Sequence, residues 1–240
     1  MSAQGPQPEE IRDLFASVAD GYDRANDAMT FGLAHVWRRK VVSWSSAQTG
    51  DRVLDCATGT GDLALEFKKT VGRRGQVVGT DFCAEMLKHA PDKAKAAGLE
   101  VDFQLADAMN LPFADALFDI SSIAYGIRNV NDPVKALSEM ARVVKPGGAV
   151  MVLETGDSPQ GGLKPFFDFY FSKVVPRIGG WVTGKRSAYE YLNRSSRGFP
   201  SRDGFVRLMQ ETGRFSSCEY RVLMGGASFI YKGVVRPPVS

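Results

Sequence analysis

The chain has 240 residues, enough to bury one large core with an appended cap, and its 44% hydrophobic and 24% charged content excludes a disordered chain or a coiled coil. Thirty basic residues against 27 acidic give a formal charge of +3, too small an excess to indicate nucleic acid as a partner. The local basic runs Arg38-Arg39-Lys40 and Arg73-Arg74 read as solvated surface.

In chain order, residues 1–9 are polar and acidic, which gives a disordered lead-in and no signal peptide. Residues 10–50 read as an N-terminal helical cap, with helices over 11–19 and 33–44 and a turn-rich stretch over 20–30. From Asp51 the pattern alternates. Strands are predicted over 52–57, 76–81, 101–105, 118–124 and 149–154, and helices over 62–70, 84–97 and 132–144. Pro146-Gly147-Gly148 reads as a turn. Such alternation predicts a parallel sheet covered on both faces. Residues 157–200 are rich in Pro and Gly and hold the aromatic run Phe166 to Phe171, so they read as an inserted lid over the ligand edge of the sheet. The core resumes over 201–235, with a helix over 201–213 capped by Ser201 and two strands, 217–223 and 227–234, joined as a hairpin. The core is thus expected over 51–156 and 201–235.

Cys56, Cys83 and Cys218 are scattered, with no CxxC spacing, which predicts no metal site and a reducing, cytoplasmic compartment. No stretch reaches the roughly 20 apolar residues that cross a bilayer.

The chemistry concentrates after the first core strand. Asp55 leads into Thr58-Gly59-Thr60-Gly61-Asp62, where the glycines let the backbone approach a ligand and the next helix points free N–H groups at it. Asp81 ends the following strand, placed to accept from both ribose hydroxyls. Asp107 and Ala108 follow the third strand, where a carboxylate suits an adenine amino group and a backbone N–H suits a ring nitrogen. The third glycine of a dinucleotide fingerprint is Ala64 here, which by itself leaves NAD open. Asp62 would repel a pyrophosphate and tolerate a sulfonium, which favours S-adenosylmethionine.

Further motifs carry a resemblance. Phe15-Ala16-Ser17-Val18-Ala19 with Tyr22-Asp23, Asn26, His35 and Trp37 is similar to one family signature, and Ala141 to Gly148 leading to Glu154 is similar to another. Asp81-Phe82-Cys83, Met86-Leu87, Tyr125 to Val130, and Tyr189-Glu190-Tyr191-Leu192 with Ser195 and Phe199-Pro200 complete the pattern. The chain resembles the quinone-biosynthesis C-methyltransferases over roughly residues 9–233. The resemblance implies an α/β class I methyltransferase Rossmann-like fold: a seven-stranded, mostly parallel sheet with an antiparallel last strand, N-terminal helices and an inserted helical lid. It implies S-adenosylmethionine held by Tyr22, Asp55, Thr58, Gly59, Thr60, Gly61, Asp81, Phe82, Met86, Asp107, Ala108, Ala124 and Tyr125. It implies methyl transfer to a ring carbon of a polyprenyl quinol, with Arg128 and Asn129 as catalytic residues and Tyr189, Phe166 and Phe169 against the substrate.

Asp107 is expected to contact adenine first and to support the arginine second. His35 reads as a packed structural histidine, and His89 as surface. Lys164, Lys173, Arg177 and Lys185 flank the aromatic run, a composition that suits peripheral contact with the inner face of a membrane. Departures from the family pattern stand at Ala28, Thr30, Thr155 to Pro159 and Met224 to Ser228. They leave open another small-molecule acceptor; a non-catalytic role in a quinone-synthesis complex and a homodimer stand as separate alternatives.

Overall fold

The computed structural model describes residues 7–156 and 169–237. Residues 1–6 of the expected lead-in and 157–168 of the expected lid therefore lie outside the described residues.

Seven strands form one sheet: β1 (Arg52–Cys56), β2 (Gln76–Asp81), β3 (Asp102–Leu105), β4 (Phe118–Ala124), β5 (Val144–Thr155), β6 (Phe215–Leu223) and β7 (Ser228–Val235). Their order is β3-β2-β1-β4-β5-β7-β6. The pairs from β3 to β5 are parallel, and β7 runs antiparallel to both β5 and β6. The order reverses between β1 and β4, so a crevice opens at their carboxyl ends, where sheets of this kind bind ligands.

Side chains of consecutive strand residues point to opposite faces, and two separate cores show it. Leu54, Val150, Val152, Phe229 and Tyr231 join one core, closed by Leu137 and Met140 of α7 (Pro133–Arg142) and Phe205 and Met209 of α10 (Asp203–Glu211). Val53, Met151, Leu153 and Ile230 join the other, closed by Trp37 and Val41 of α3 (Leu33–Ser45) and Leu63 and Phe67 of α4 (Asp62–Val71). Each such large apolar side chain contributes roughly 1.5–3 kcal/mol by leaving water.

A third, smaller core lies off the sheet. It joins Val18 and Ala25 to Ala188 and Tyr189, and so fastens α2 (Tyr22–Thr30) to α8 (Val175–Thr183) and α9 (Arg186–Gly198). These helices thus form one layer over the carboxyl edge. The first helix, α1 (Pro8–Ala16), borders it.

Several local expectations change. Residues 22–30 are helix, not turns: Ala25 is fully buried, and the polar Asp23, Asn26 and Asp27 that suggested turns lie along a helix. The helix expected over 84–97 is two pieces, α5 (Ala84–Leu87) and α6 (Ala90–Ala96), with Pro91 in the first turn of the second. Pro146-Gly147-Gly148 lies inside β5, beside a register shift in its pairing with β4. A Cβ on Gly148 would stand 2.4 Å from the Asp119 carbonyl oxygen, so the close strand requires glycine there. Arg202 at φ 55°, not Ser201, occupies the cap position of α10.

Candidate active site

Two cavities open at the carboxyl edge of the sheet, and they share a wall. The smaller, about 90 Å³, lies over β1, β2 and β4. Asp81 anchors it: Oδ2 accepts from the Gly59 N–H at 2.8 Å and Oδ1 from the Cys83 N–H at 2.9 Å. Burial lifts its carboxyl to about 6, against the pull of those N–H groups. Gly59 has φ 56°, and a Cβ there would press on Met86 Cε at 3.2 Å. Phe82, Met86, Asp107, Ala108 and Ala124 line the same space, as do Tyr22, Tyr125 and Asn129. Asp107 is exposed, with one carboxylate oxygen held by the Met109 N–H at 2.8 Å.

Four expected contacts work behind this wall instead. Asp55 is 1% exposed and accepts from Thr58 and Ser122 hydroxyls at 2.6 Å each. It ties the loop to β4, and burial lifts its carboxyl to about 6. Thr58 is its partner. The Thr60 hydroxyl turns away and donates to Asp23 on α2 at 2.6 Å. Gly61 caps α4 at φ 88° and does not line the cavity.

Asp62 also corrects the charge argument made from the sequence. It pairs with Arg38 at 2.9 Å and with Lys93, which itself reaches Asp23 at 2.6 Å. Burial opposes its charge, but the two cations hold its carboxyl below the usual range. A neutralised carboxylate outside the cavity repels nothing there. The fit to a nucleoside rests on Asp81, the Gly59 loop and Asp107 instead.

The larger cavity, about 340 Å³, is mostly apolar and is roofed by the helical layer. Met29, Trp37, Tyr170, Tyr189 and Leu192 supply apolar wall, and Arg128, Arg38, Thr155 and Ser196 supply its polar points. Tyr125 leaves β4 at φ 57°, a left-handed conformation that costs a bulky residue about 1 kcal/mol. The turn aims its carbonyl at the next 3-10 turn, where it accepts from Arg128 Nη1 at 3.0 Å and Asn129 Nδ2 at 3.3 Å.

Arg128 also pairs with Glu154, and both side chains are almost wholly buried. The same Glu154 oxygen accepts from the Thr155 N–H at 2.7 Å and its hydroxyl at 3.0 Å, and that hydroxyl meets Ser196 of α9 at 2.8 Å. Among the described residues, Arg128 Nε, Glu154 Oε2 and Asn129 Oδ1 are buried without a partner. Unmet donors and acceptors of this kind are costly unless a ligand meets them. Tyr22 and Tyr125 line both cavities, Asn129 the smaller and Arg128 the larger.

Of the expected substrate contacts, Tyr189 is buried in the cavity wall, Phe169 is 60% exposed away from it, and Phe166 lies outside the described residues. Tyr170 takes the place expected of Phe169: its hydroxyl donates to the Met29 carbonyl at 2.7 Å and its ring stacks on Phe31. His35 is half-exposed and pairs with Asp27 at 2.8 Å, so it is no packed core histidine; His89 is near the surface. Glu154, not Asp107, is the carboxylate behind Arg128.

Arg38 lines the larger cavity and is not solvated surface. It is 6% exposed while Arg39 and Lys40 are exposed. The signal was present: Ala34, Trp37, Arg38 and Val41 fall on one helical face. Among the described residues no group of His, Cys, Asp and Glu is arranged to hold a metal ion.

The chain is similar to known proteins over nearly all of its length. The sequence model of the ubiE/COQ5 methyltransferase family matches residues 3–235. A relative from Bdellovibrio bacteriovorus, named ubiquinone/menaquinone biosynthesis C-methyltransferase, is 56% identical over 236 residues, 98% of this chain and all of its own. One of the same name from Roseobacter denitrificans is 37% identical over 96% of this chain and 92% of its own. A SAM-dependent methyltransferase structure from Thermotoga maritima superposes with a TM-score of 0.65 at 20% identity, covering 93% of this chain and 99% of its own, a likeness of fold.

Proposed function

The chain belongs to the ubiE/COQ5 methyltransferase family, and from that premise we propose that it methylates a ring carbon of a polyprenylated quinol, a demethylmenaquinol or a methoxy-polyprenyl-benzoquinol. The observation that carries the reading is the pair of cavities sharing Tyr22 and Tyr125, one lined by nucleoside-type contacts and one apolar with a buried Arg128–Glu154 pair.

When bound in the smaller cavity, S-adenosylmethionine would supply an electrophilic methyl group and leave as S-adenosylhomocysteine, while the ring carbon that takes the methyl gives up its proton to solvent. Asp81 would accept from the ribose hydroxyls, and Asp107 with the Ala108 N–H would take the adenine edge. Tyr22 and Tyr125 would separate the reactants to one contact distance and exclude water. Fixing two reactants in line can lower a barrier by roughly 7–11 kcal/mol at best. Arg128 cannot act as a base, but its guanidinium would hold the ring oxygen as an oxyanion, which makes the ring carbon nucleophilic. Asn129 would present its unmet Oδ1 on the cofactor side. A preorganised donor such as the Arg128 guanidinium in a dry site is worth about 100- to 1000-fold.

The larger cavity would take the ring and the first part of the isoprenoid chain. Phe31 is 77% exposed and Trp181 of α8 89% exposed, and Lys173, Arg177 and Lys185 nearby in the chain are exposed. Apolar tips with basic neighbours support docking on an anionic membrane from which such a substrate is drawn. Among the described residues no helix is long and apolar enough to cross a membrane.

The test supplies labelled S-adenosylmethionine with the two quinols side by side. Label should enter the ring of at least one. Transfer to neither would end the quinol reading.

A further inference from the structure

We propose that Arg38 is a second guanidinium at the reacting ring, hydrogen-bonded to the ring oxygen that Arg128 does not hold. The inference deepens the quinol reading and rests on it. A quinol carries two ring oxygens, and the cavity wall carries two buried arginines from different parts of the chain: Arg128 from the turn after β4 and Arg38 from α3.

The two are built alike. Arg128 has Glu154 behind it, and Arg38 has Asp62 behind it at 2.9 Å. The Arg38 side chain is 8% exposed. Asp62 is the carboxylate it meets, and a guanidinium has five N–H donors to offer. The positions of the two cations agree as well. Tyr22 and Tyr125, the residues shared by both cavities, each lie in the field of both Arg38 and Arg128. Both charges therefore bear on the place where the cavities meet.

An apolar cavity gains nothing from a buried cation. A well-packed apolar residue in place of a buried ion pair is commonly neutral or stabilising. Two cations facing one apolar space fit a ligand with an apolar body and anionic oxygens. As an oxyanion is captured, the phenolic proton leaves to solvent, and the planar fork of Arg38 offers donors in a fixed geometry.

A competing role is structural. Arg38, Asp62, Lys93, Asp23 and Thr60 also clasp α2 and α3 to the glycine loop and α6. The experiment separates the two. The full chain is titrated at neutral pH with 2-hydroxy-3-methyl-1,4-naphthoquinone, which is ionised, and with 2,3-dimethyl-1,4-naphthoquinone, which is neutral and of similar size. The readout is the ratio of their dissociation constants, and S-adenosylhomocysteine binding serves as the fold control. Arg38→Gln should cut the anion's advantage by about tenfold, the scale of one charge-assisted hydrogen bond, and leave the neutral probe unchanged. Asp62→Asn, which breaks the clasp but keeps the arginine, should retain the advantage. If Arg38→Gln moves both probes alike, or neither, the proposal falls and the clasp is the whole role. Where Arg38→Gln does not fold, Arg38→Lys replaces it: a point charge without the fork should lower the advantage, and no change overturns the proposal. If neither probe binds the unaltered chain, the quinol reading falls and takes this role with it.

Discussion

The two cavities are built by different means. The smaller is made by the sheet: each of its anchoring groups stands at the end of a strand or in the loop that follows it, and backbone N–H groups hold them in place. The larger is made by the helical layer, from α2, α3, α8 and α9 closing over the ends of β4 and β5 and the start of β7. A site at strand ends inherits the rigidity of a hydrogen-bonded ladder. A site between helices depends on side-chain packing and a few buried charges, and can vary its lining without disturbing the sheet.

Substitutions that act on one cavity alone sharpen that division, and those that act on both break it. Arg128→Gln should lower kcat by up to about 1000-fold while the dissociation constant of S-adenosylhomocysteine stays within about twofold. Loss of cofactor affinity in that variant would mean that the cavities are one unit. Asp81→Asn should do the reverse, weakening the cofactor by about 100-fold through two lost charge-assisted bonds and leaving quinone-probe binding intact.

Acidity gives the same residue a second test. The Asp81 carboxyl is raised to about 6, so it gains a proton as pH falls through that value. Ribose hydroxyls need the ionised form as acceptor. Cofactor affinity should therefore be full above about pH 7 and fall below 6, toward tenfold per pH unit. Calorimetry near pH 6 should register proton release on binding. Asp55 is also raised to about 6, and Asp81→Asn separates the two: a pH dependence that survives the substitution belongs to Asp55.

Glu154→Gln should lower kcat by about tenfold. Arg128 keeps its bond to the Tyr125 carbonyl but loses the charge that fixes its other side. Steady-state rates with the cofactor saturating would measure it, and an unchanged kcat would deny Glu154 a part in aiming Arg128. Ser196→Ala should have the smallest effect. It removes one hydroxyl contact between α9 and Thr155, worth about 1 kcal/mol, and should raise quinol KM by up to about fivefold with kcat unchanged.

The same division explains what could be read from the sequence. Asp81, the Gly59 loop, Phe82, Met86 and Asp107 were legible because each lies within a few residues of a strand whose pattern is plain. Asp55 and Thr58 were assigned to the ligand because proximity in sequence does not tell which way a side chain turns. The helical layer joins segments more than a hundred residues apart, and no local pattern reports that α2 meets α8. Residues 20–30 read as turns because Asp23, Asn26 and Asp27 lack an apolar partner within the stretch. Asp23 is instead satisfied by Thr60 and Lys93, and Asp27 by His35. Arg38 was lost among its basic neighbours, although its position on the apolar face of α3 marked it.

Tyr22 and Tyr125 stand in both walls, and that shared partition governs the order of events in a turnover. A wall common to both cavities sets donor beside acceptor, so direct transfer needs both present together. Turnover then runs through a ternary complex, and reciprocal plots at several donor concentrations give intersecting lines where a methylated enzyme form would give parallel ones.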